Sequence, residues 1–296
     1  MTKLIELIVN GVATGAVYAL IALGFVVIFK ATEVVNFAHA SLLLIGGYVV
    51  AETHDDFGFW GALVLGVLVA ATIGGIVEFA VIRRARVLDQ AVVAIATIGI
   101  DIVLTSELTR RIGTDTLALG DPWGDHLVHL GSVTIPATRI AALLAAGTLI
   151  GIFLLAFKYT AWGVSMRAVA EDSETAALMG IRLGRVSIGA WAVAGGLAAV
   201  AAVFLTVFPT PGLDRTTSYA ALKAFPAAIL GGLDSTTGAL AGGLIVGLTE
   251  SLMTGYQNDL VFLGRGIGDV APYAVMVLVL LWRPAGLFGT RETARV

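Results

Sequence analysis

The interval Lys158–Arg185, KYTAWGVSMRAVAEDSETAALMGIRLGR, is the longest polar-rich stretch of this chain that still reads as helix. Blocks of almost unbroken apolar residues stand on either side of it. Ser165 can open a short helix there. Asp172 or Ser173 can cap the next one, with Glu174 in its first turn, and Gly180 can stop it in the left-handed conformation. The pattern predicts a helical elbow presenting Met166, Leu178, Met179 and Ile181, apolar tips suited to docking on another protein rather than to making bonds. A second polar group, Asn36, His39 and Ser41, falls on a short apolar segment, with Asn36, His39 and Leu43 expected on one helical face. Against lipid such side chains are costly, so they must face protein or a watery path. Asp121, Asp125, His126 and His129 offer oxygen and imidazole ligands, but their spacing matches no recognised metal site. That stretch reads as a solvated loop, and no metal is expected.

Catalysis finds little footing. There is no cysteine, hence no thiol nucleophile or disulfide. His39 is the one histidine in an apolar span, and nothing pairs it with a nucleophile. No G-x-x-x-x-G-K-[ST] loop is present to cradle phosphates. No cofactor is expected. The carboxylates Glu78, Asp101, Glu107 and Glu250 raise the alternative of ion coupling, yet most lie near span ends, where snorkelling or local pairing accounts for them.

Composition sets the class. Of 296 residues, 58% are hydrophobic, 13% are charged and 36 are glycine, with mean hydropathy +0.94. A soluble protein of this size has too few polar groups here to cover its outside, whereas glycine at this level suits close packing of membrane helices. The net charge of −3 excludes a broad basic nucleic-acid surface. The expected fold is therefore an all-α polytopic membrane protein of eight or nine transmembrane helices. The amino terminus has too long an apolar run for a cleaved signal and reads as a retained span.

In order, the predicted spans are Leu7–Phe29, Val34–Val50, Phe59–Ile82, Ala91–Leu108, Ile140–Phe157, Val186–Phe208, Tyr219–Leu233, Gly238–Thr254 and Val270–Leu287. An acidic loop, Glu52–Asp56, separates the second and third. The loop Gly113–Thr138 carries a predicted hairpin, Leu127–Leu130 and Val133–Ile135 about Gly131-Ser132. With Arg83–Arg86 placed in the cytoplasm, the elbow and the tail (Arg283, Arg291, Arg295) fall there too. Then 11 of the 18 Lys and Arg lie inside, and the other seven (Lys3, Arg110, Arg111, Arg139, Arg215, Lys223, Arg265) lie outside. The two halves look related. FAHASLLLIGG followed by GALVLG (Gly61–Gly66) is matched by KAFPAAILGG followed by GALAGG (Gly238–Gly243). In the nine-span topology the two copies run in opposite senses, which is the pattern of an inverted repeat whose glycine-broken segments mark a pathway.

The opening GVATGAVYALIALGFVVIFKATEVVNFAHASLLLIGGYV resembles the start of the branched-chain amino acid ABC transporter permeases, of the LivH-like type, with Asn36-Phe37-Ala38-His39 and Gly46 as the core of the likeness. RAVAEDSETAALMGI resembles that family's cytoplasmic coupling loop, and KAFPAAILGGLDSTTGALAGGLIVGLTES and LLWRPAGLFG are also similar to it. The resemblance implies one permease domain over residues 1–296, with a coupling loop at 158–185 and an extracytoplasmic loop at 113–138. It implies that Arg167, Glu171, Asp172, Ala176, Gly180 and Ile181 couple to an ATPase. Asn36, His39, Ser41 and Gly46, with Gly231 and Gly232 in the second copy, are expected to flank the translocation pathway. The implied partners are a paralogous permease subunit, two ABC ATPases, an extracytoplasmic amino-acid-binding protein and the lipid of a bacterial plasma membrane. Urea and short-amide permeases share the same strings. Asp101, in TIGIDI, departs from the small or neutral residue expected there.

The absence of native cysteine makes the topology directly testable. Single cysteines at Asp55 and Asp125 should react with an impermeant thiol reagent from outside, and cysteines at Arg86 and Thr175 should not. Reversed labelling overturns the orientation.

Overall fold

Long apolar runs with few breakers fold here as long helices. The computed structural model describes residues 2–85, 89–124, 126–130, 133–207, 212–260 and 266–289. The helices are α1 (Thr2–Thr32), α2 (His39–Val77), a π-helical turn (Glu78–Ile82) with α3 (Arg83–Ala85), α4 (Gln90–Ile112) and α5 (Ala137–Tyr159). They continue with α6 (Ala161–Glu171), α7 (Ser173–Leu178), α8 (Leu183–Val207), α9 (Thr217–Gly231), α10 (Thr236–Gly255) and α11 (Ile267–Trp282). Strands β1 (Leu127–Leu130) and β2 (Val133–Pro136) pair antiparallel, Val128 opposite Ile135, in the predicted hairpin. Its turn, Gly131-Ser132, lies outside the described residues, as do Arg86, Asp125, Phe208, Arg265, Arg291 and Arg295.

Among the described residues, six helical runs are long and apolar enough to cross a membrane, and Ile267–Trp282 is a shorter apolar helix. The run that begins at His39 is two crossings. A Cβ on Gly66 would stand 2.7 Å from the carbonyl oxygen of Gly46, whereas twenty residues of straight helix span about 30 Å. The chain doubles back at Gly58, whose φ of 66° and ψ of 165° suit glycine alone. With this division the apolar helices among the described residues number eight, within the predicted eight or nine, and the short α9 stands beside them.

Three local expectations change. Val34–Ala38 is not helical and α2 begins at His39, so Asn36 shares no helical face with His39 and Leu43. Glu52–Asp56 is no loop but the last turns of the first half of α2, because one glycine suffices for the reversal. Gly46-Gly47 consequently lies within a helix rather than ending one, while Gly231 closes α9 as expected.

The chain forms two compact units. One comprises Val27–Pro122 and Gly147–Leu222. Its core is α2 against α8, brought close by small residues. Gly46 abuts Ala199, Gly74 abuts the carbonyl of Trp191, and Gly195 abuts that of Ala70. Trp191, Leu42, Leu43 and Leu44 are almost wholly buried in this unit. The other unit comprises Met1–Val26, Trp123–Ala146 and Lys223–Val296. There α10 lies against α1, with Gly247 on Gly15 and Gly243 on Ala19, and against α9, with Gly242 on the carbonyl of Ala227. Lys223 Nζ donates to Glu250 Oε1 at 3.1 Å and to Asp269 Oδ1 at 2.6 Å, and the Tyr18 hydroxyl donates to Glu250 Oε2 at 2.6 Å. This network ties α1, α9, α10 and α11 together and satisfies charges that lipid would penalise.

The seams make an asymmetric prediction. A Cβ on Gly247 would lie 2.3 Å from the backbone nitrogen of Gly15, whereas one on Gly147 meets nothing within 4 Å. Gly247→Val should lower the thermal transition of the purified protein, at a cost of about 1–3 kcal/mol from overpacking. Gly147→Ala should leave it unchanged or raise it slightly, as read by size-exclusion after heating.

Candidate functional site

The entry to α2 is where the sequence places its polar triplet, and the structure explains why polar residues are needed there. A helix that starts among buried residues exposes backbone N–H groups that no water satisfies there. Two side chains of α4, one turn apart, meet that need. Thr97 Oγ1 accepts from the N–H of Phe37 at 3.1 Å, and Asp101 Oδ1 accepts from the N–H of Ser41 at 3.0 Å. Asn36 Oδ1 accepts from the N–H of Ala38 at 2.9 Å, and Ser41 Oγ donates to the carbonyl of Ala38 at 2.8 Å. Asp101, unusual by resemblance, is thus a helix cap supplied by a neighbouring helix, with its charge at the favourable end of the α2 dipole. Thr97 was not singled out in the sequence. Its signal was there, as Thr97 and Asp101 are four apart on an otherwise apolar span.

Asn36, His39 and Ser41 are buried within this unit, all at 1% exposure or less. Asn36 Nδ2 has no hydrogen-bond partner among the described residues. Glu78, read from sequence only as a span-end acid, is also fully enclosed, at the start of the π-helical turn. Helix register sets its level. Gly74 stands against Leu42 in the first half of α2 and against Trp191 in α8. One turn further along each helix brings Glu78 level with His39 and Ser187, which are likewise wholly buried. A histidine, a carboxylate and a hydroxyl are therefore gathered at one depth near the start of α2. π-Turns are frequent at functional positions because they re-aim a side chain without ending the helix.

The elbow follows its predicted chemistry with three changes, one of them at Ile181, which is half-buried rather than a tip. Its first helix starts at Ala161, because Thr160 rather than Ser165 supplies the cap, accepting from the N–H of Gly163 at 3.1 Å. Met166 is not a tip but lies wholly buried on the inner face of α6. Asp172 caps α7, accepting from the N–H groups of Glu174 and Thr175 at 3.0 Å. At the other end Gly180 takes φ 88°. The N–H of Ile181 returns to the carbonyl of Ala176 and that of Gly180 to the carbonyl of Ala177, each at 3.0 Å, the paired closure of a Schellman end. Arg167 donates to the carbonyls of Phe157 and Lys158 and lies over the Phe157 ring, bracing α6 on the last turn of α5. What remains in solvent is Leu178 and Met179, 87% and 79% exposed, with Glu171 and Glu174 beside them.

A family profile described as "Branched-chain amino acid transport system / permease component" matches residues 7–280. The chain belongs to this family. It is a membrane permease component and not an enzyme. The high-affinity branched-chain amino acid transport system permease protein LivH of Escherichia coli (strain K12) is 31% identical, covering 97% of this chain and 96% of that one. BraD of Pseudomonas aeruginosa, with the same description, is 29% identical over 99% and 98% of the two chains. A probable LivH of Methanocaldococcus jannaschii is 32% identical over 91% and 88%. No solved structure matches the permease.

Capping by Asp101 can be separated from its charge. Asp101→Leu in the permease leaves the Ser41 N–H without an acceptor and should destabilise it by about 1–2 kcal/mol. Asp101→Asn keeps an acceptor oxygen and should cost less than half as much in the same thermal unfolding measurement.

Proposed function

We propose that the permease forms the membrane pathway of an ATP-driven importer of branched-chain amino acids, in a bacterial plasma membrane. Separate ATPase subunits energise it, and an extracytoplasmic binding protein supplies it. The observation that carries the reading is the family match along residues 7–280, the same span that contains the closed elbow. The chain holds no phosphate-cradling loop, so ATP chemistry belongs to another subunit. The elbow is the docking piece. Its caps make α7 rigid, and its exposed Leu178 and Met179 offer an ATPase groove two apolar anchors. A paralogous permease completes the pore, with the elbow and carboxyl terminus in the cytoplasm.

The polar entry to α2 and the Gly231-Gly232 end of α9 flank the pathway as the two copies of an inverted repeat. Both break a helix within the apolar region, and discontinuous helices of this kind form the substrate sites of transporters built on inverted repeats. The Asn36 amide, buried with no acceptor among the described residues, suits a segment that gains a partner in another state. Several carboxylates that an ion-coupled transporter would need are already engaged: Glu250 with Lys223, Asp101 with α2, and Glu107 with Arg110 and Arg111.

Coupling can be tested at the elbow. Gly180→Val, Glu171 and Asp172 together to Ala, and Leu178→Asp with Met179→Asp should each leave the protein inserted. Each should cut uptake and substrate-stimulated ATP hydrolysis in the reconstituted complex by about tenfold or more, equivalent to losing ~1.4 kcal/mol of docking. Normal uptake by all three at normal abundance removes the elbow from the coupling role.

A further inference from the structure

Under the elbow, within the unit that contains α2 and α8, lies a cavity of about 310 Å³. It sits at the small end of ligand-pocket sizes, ~300–1,000 Å³. Four parts of the fold wall it: the end of α1, the start of α4, the elbow, and the start of α8. Its polar side is Lys30, Glu33 and Gln90, and the amide of Gln90 donates to Glu33 Oε2 at 3.4 Å. Its apolar side is Val93, Val169 and Leu183, the two valines almost wholly buried. Among the described residues, one cation, one anion and an aliphatic wall in so small a space complement a molecule with a carboxylate, an ammonium group and a short branched side chain. None of the described residues that line it is aromatic, so nothing among them favours a flat ligand.

The backbone singles out the same place. Glu33 has φ 55°, the one positive value at a non-glycine residue among the described residues. Such a conformation is uncommon outside glycine and is retained where surrounding structure or function demands it. Here it turns the chain out of α1, whose last turn is closed by the Glu33 N–H on the carbonyl of Phe29. The turn leaves the Glu33 carboxylate on the cavity that also holds Lys30.

We propose that this cavity is a binding site for a zwitterionic branched aliphatic amino acid on the side of the membrane that bears the elbow. The inference rests on the importer reading for the choice of ligand and for calling that side cytoplasmic. Lys30 receives the carboxylate, Glu33 the ammonium group, and Val93, Val169 and Leu183 the side chain. Because the walls come from both the elbow and the spans, an occupant favours the state in which they stand together. Accumulated cargo thereby holds the elbow still and slows further import.

The test uses the permease reconstituted with its partner subunit and ATPases, without the binding protein. A Ser173→Cys variant places a thiol on the cavity wall of a chain that has no other cysteine. Millimolar leucine should slow maleimide labelling of this chain about fivefold or more, a change of ~1 kcal/mol in exposure. Leucinamide, which lacks the carboxylate, and 4-methylpentanoate, which lacks the ammonium group, should not. Lys30→Met, Glu33→Gln and the cavity-filling Val93→Trp should each remove the protection, and equilibrium binding of radiolabelled leucine to the cysteine-free protein should fall with it. Equal labelling with and without leucine, together with no saturable leucine binding, overturns the site. Equal protection by all three compounds overturns the zwitterion assignment. Uptake with the binding protein present is measured in parallel: leucine import without protection sinks only the cavity site, whereas a complex that imports no branched-chain amino acid sinks the importer reading.

Discussion

A helix that begins among buried residues must find acceptors for its first N–H groups, and no water is there to supply them. The start of α2 is where this permease meets that demand, and much of the α2 unit follows from the answer. Thr97 and Asp101 of α4 accept from Phe37 and Ser41, so α4 is held against the α2 entry by hydrogen bonds that nothing in the lipid can replace. With its entry capped, α2 can run to Gly58, reverse, and return alongside itself to the π-helical turn at Glu78. The return leg then presents Gly74 and Ala70 to Trp191 and Gly195 of α8.

The close contacts in both units are made by glycine and alanine because hydrophobicity alone cannot hold helices together in lipid. Removing the side chain at Gly46, Gly195, Gly243 or Gly247 lets backbone meet backbone, and the gain is van der Waals contact summed along the seam. Polar clusters then add direction. Lys223, Glu250, Asp269 and Tyr18 form one such cluster in the unit built around α10. His39, Glu78 and Ser187, gathered at one depth, belong to the unit built around α2 and α8. The elbow obeys a different rule, because much of it is exposed. Its helices are short, so its shape rests on the Asp172 cap, the Schellman end at Gly180 and the Arg167 brace rather than on length.

Much was legible along the chain. Composition determined the class, and apolar runs of membrane length determined the spans, because crossing lipid depends on local hydropathy and length alone. The Asp172 cap and the Gly180 stop were also readable, since capping is decided within four residues. The family was legible in strings that lie in order from Asn36 to Gly289. Tertiary structure decided what depends on residues far apart. It assigned Asp101 to the N–H of Ser41, sixty residues away, and so turned an anomalous acid into a cap. Met166 was buried by packing that helical periodicity in eleven residues could not resolve. The helix start moved from Val34 to His39 because apolar composition tells what may enter lipid, not where backbone hydrogen bonds begin. Glu78 came level with His39 only through the reversal at Gly58 and the glycine register that follows it, which a one-dimensional reading does not contain.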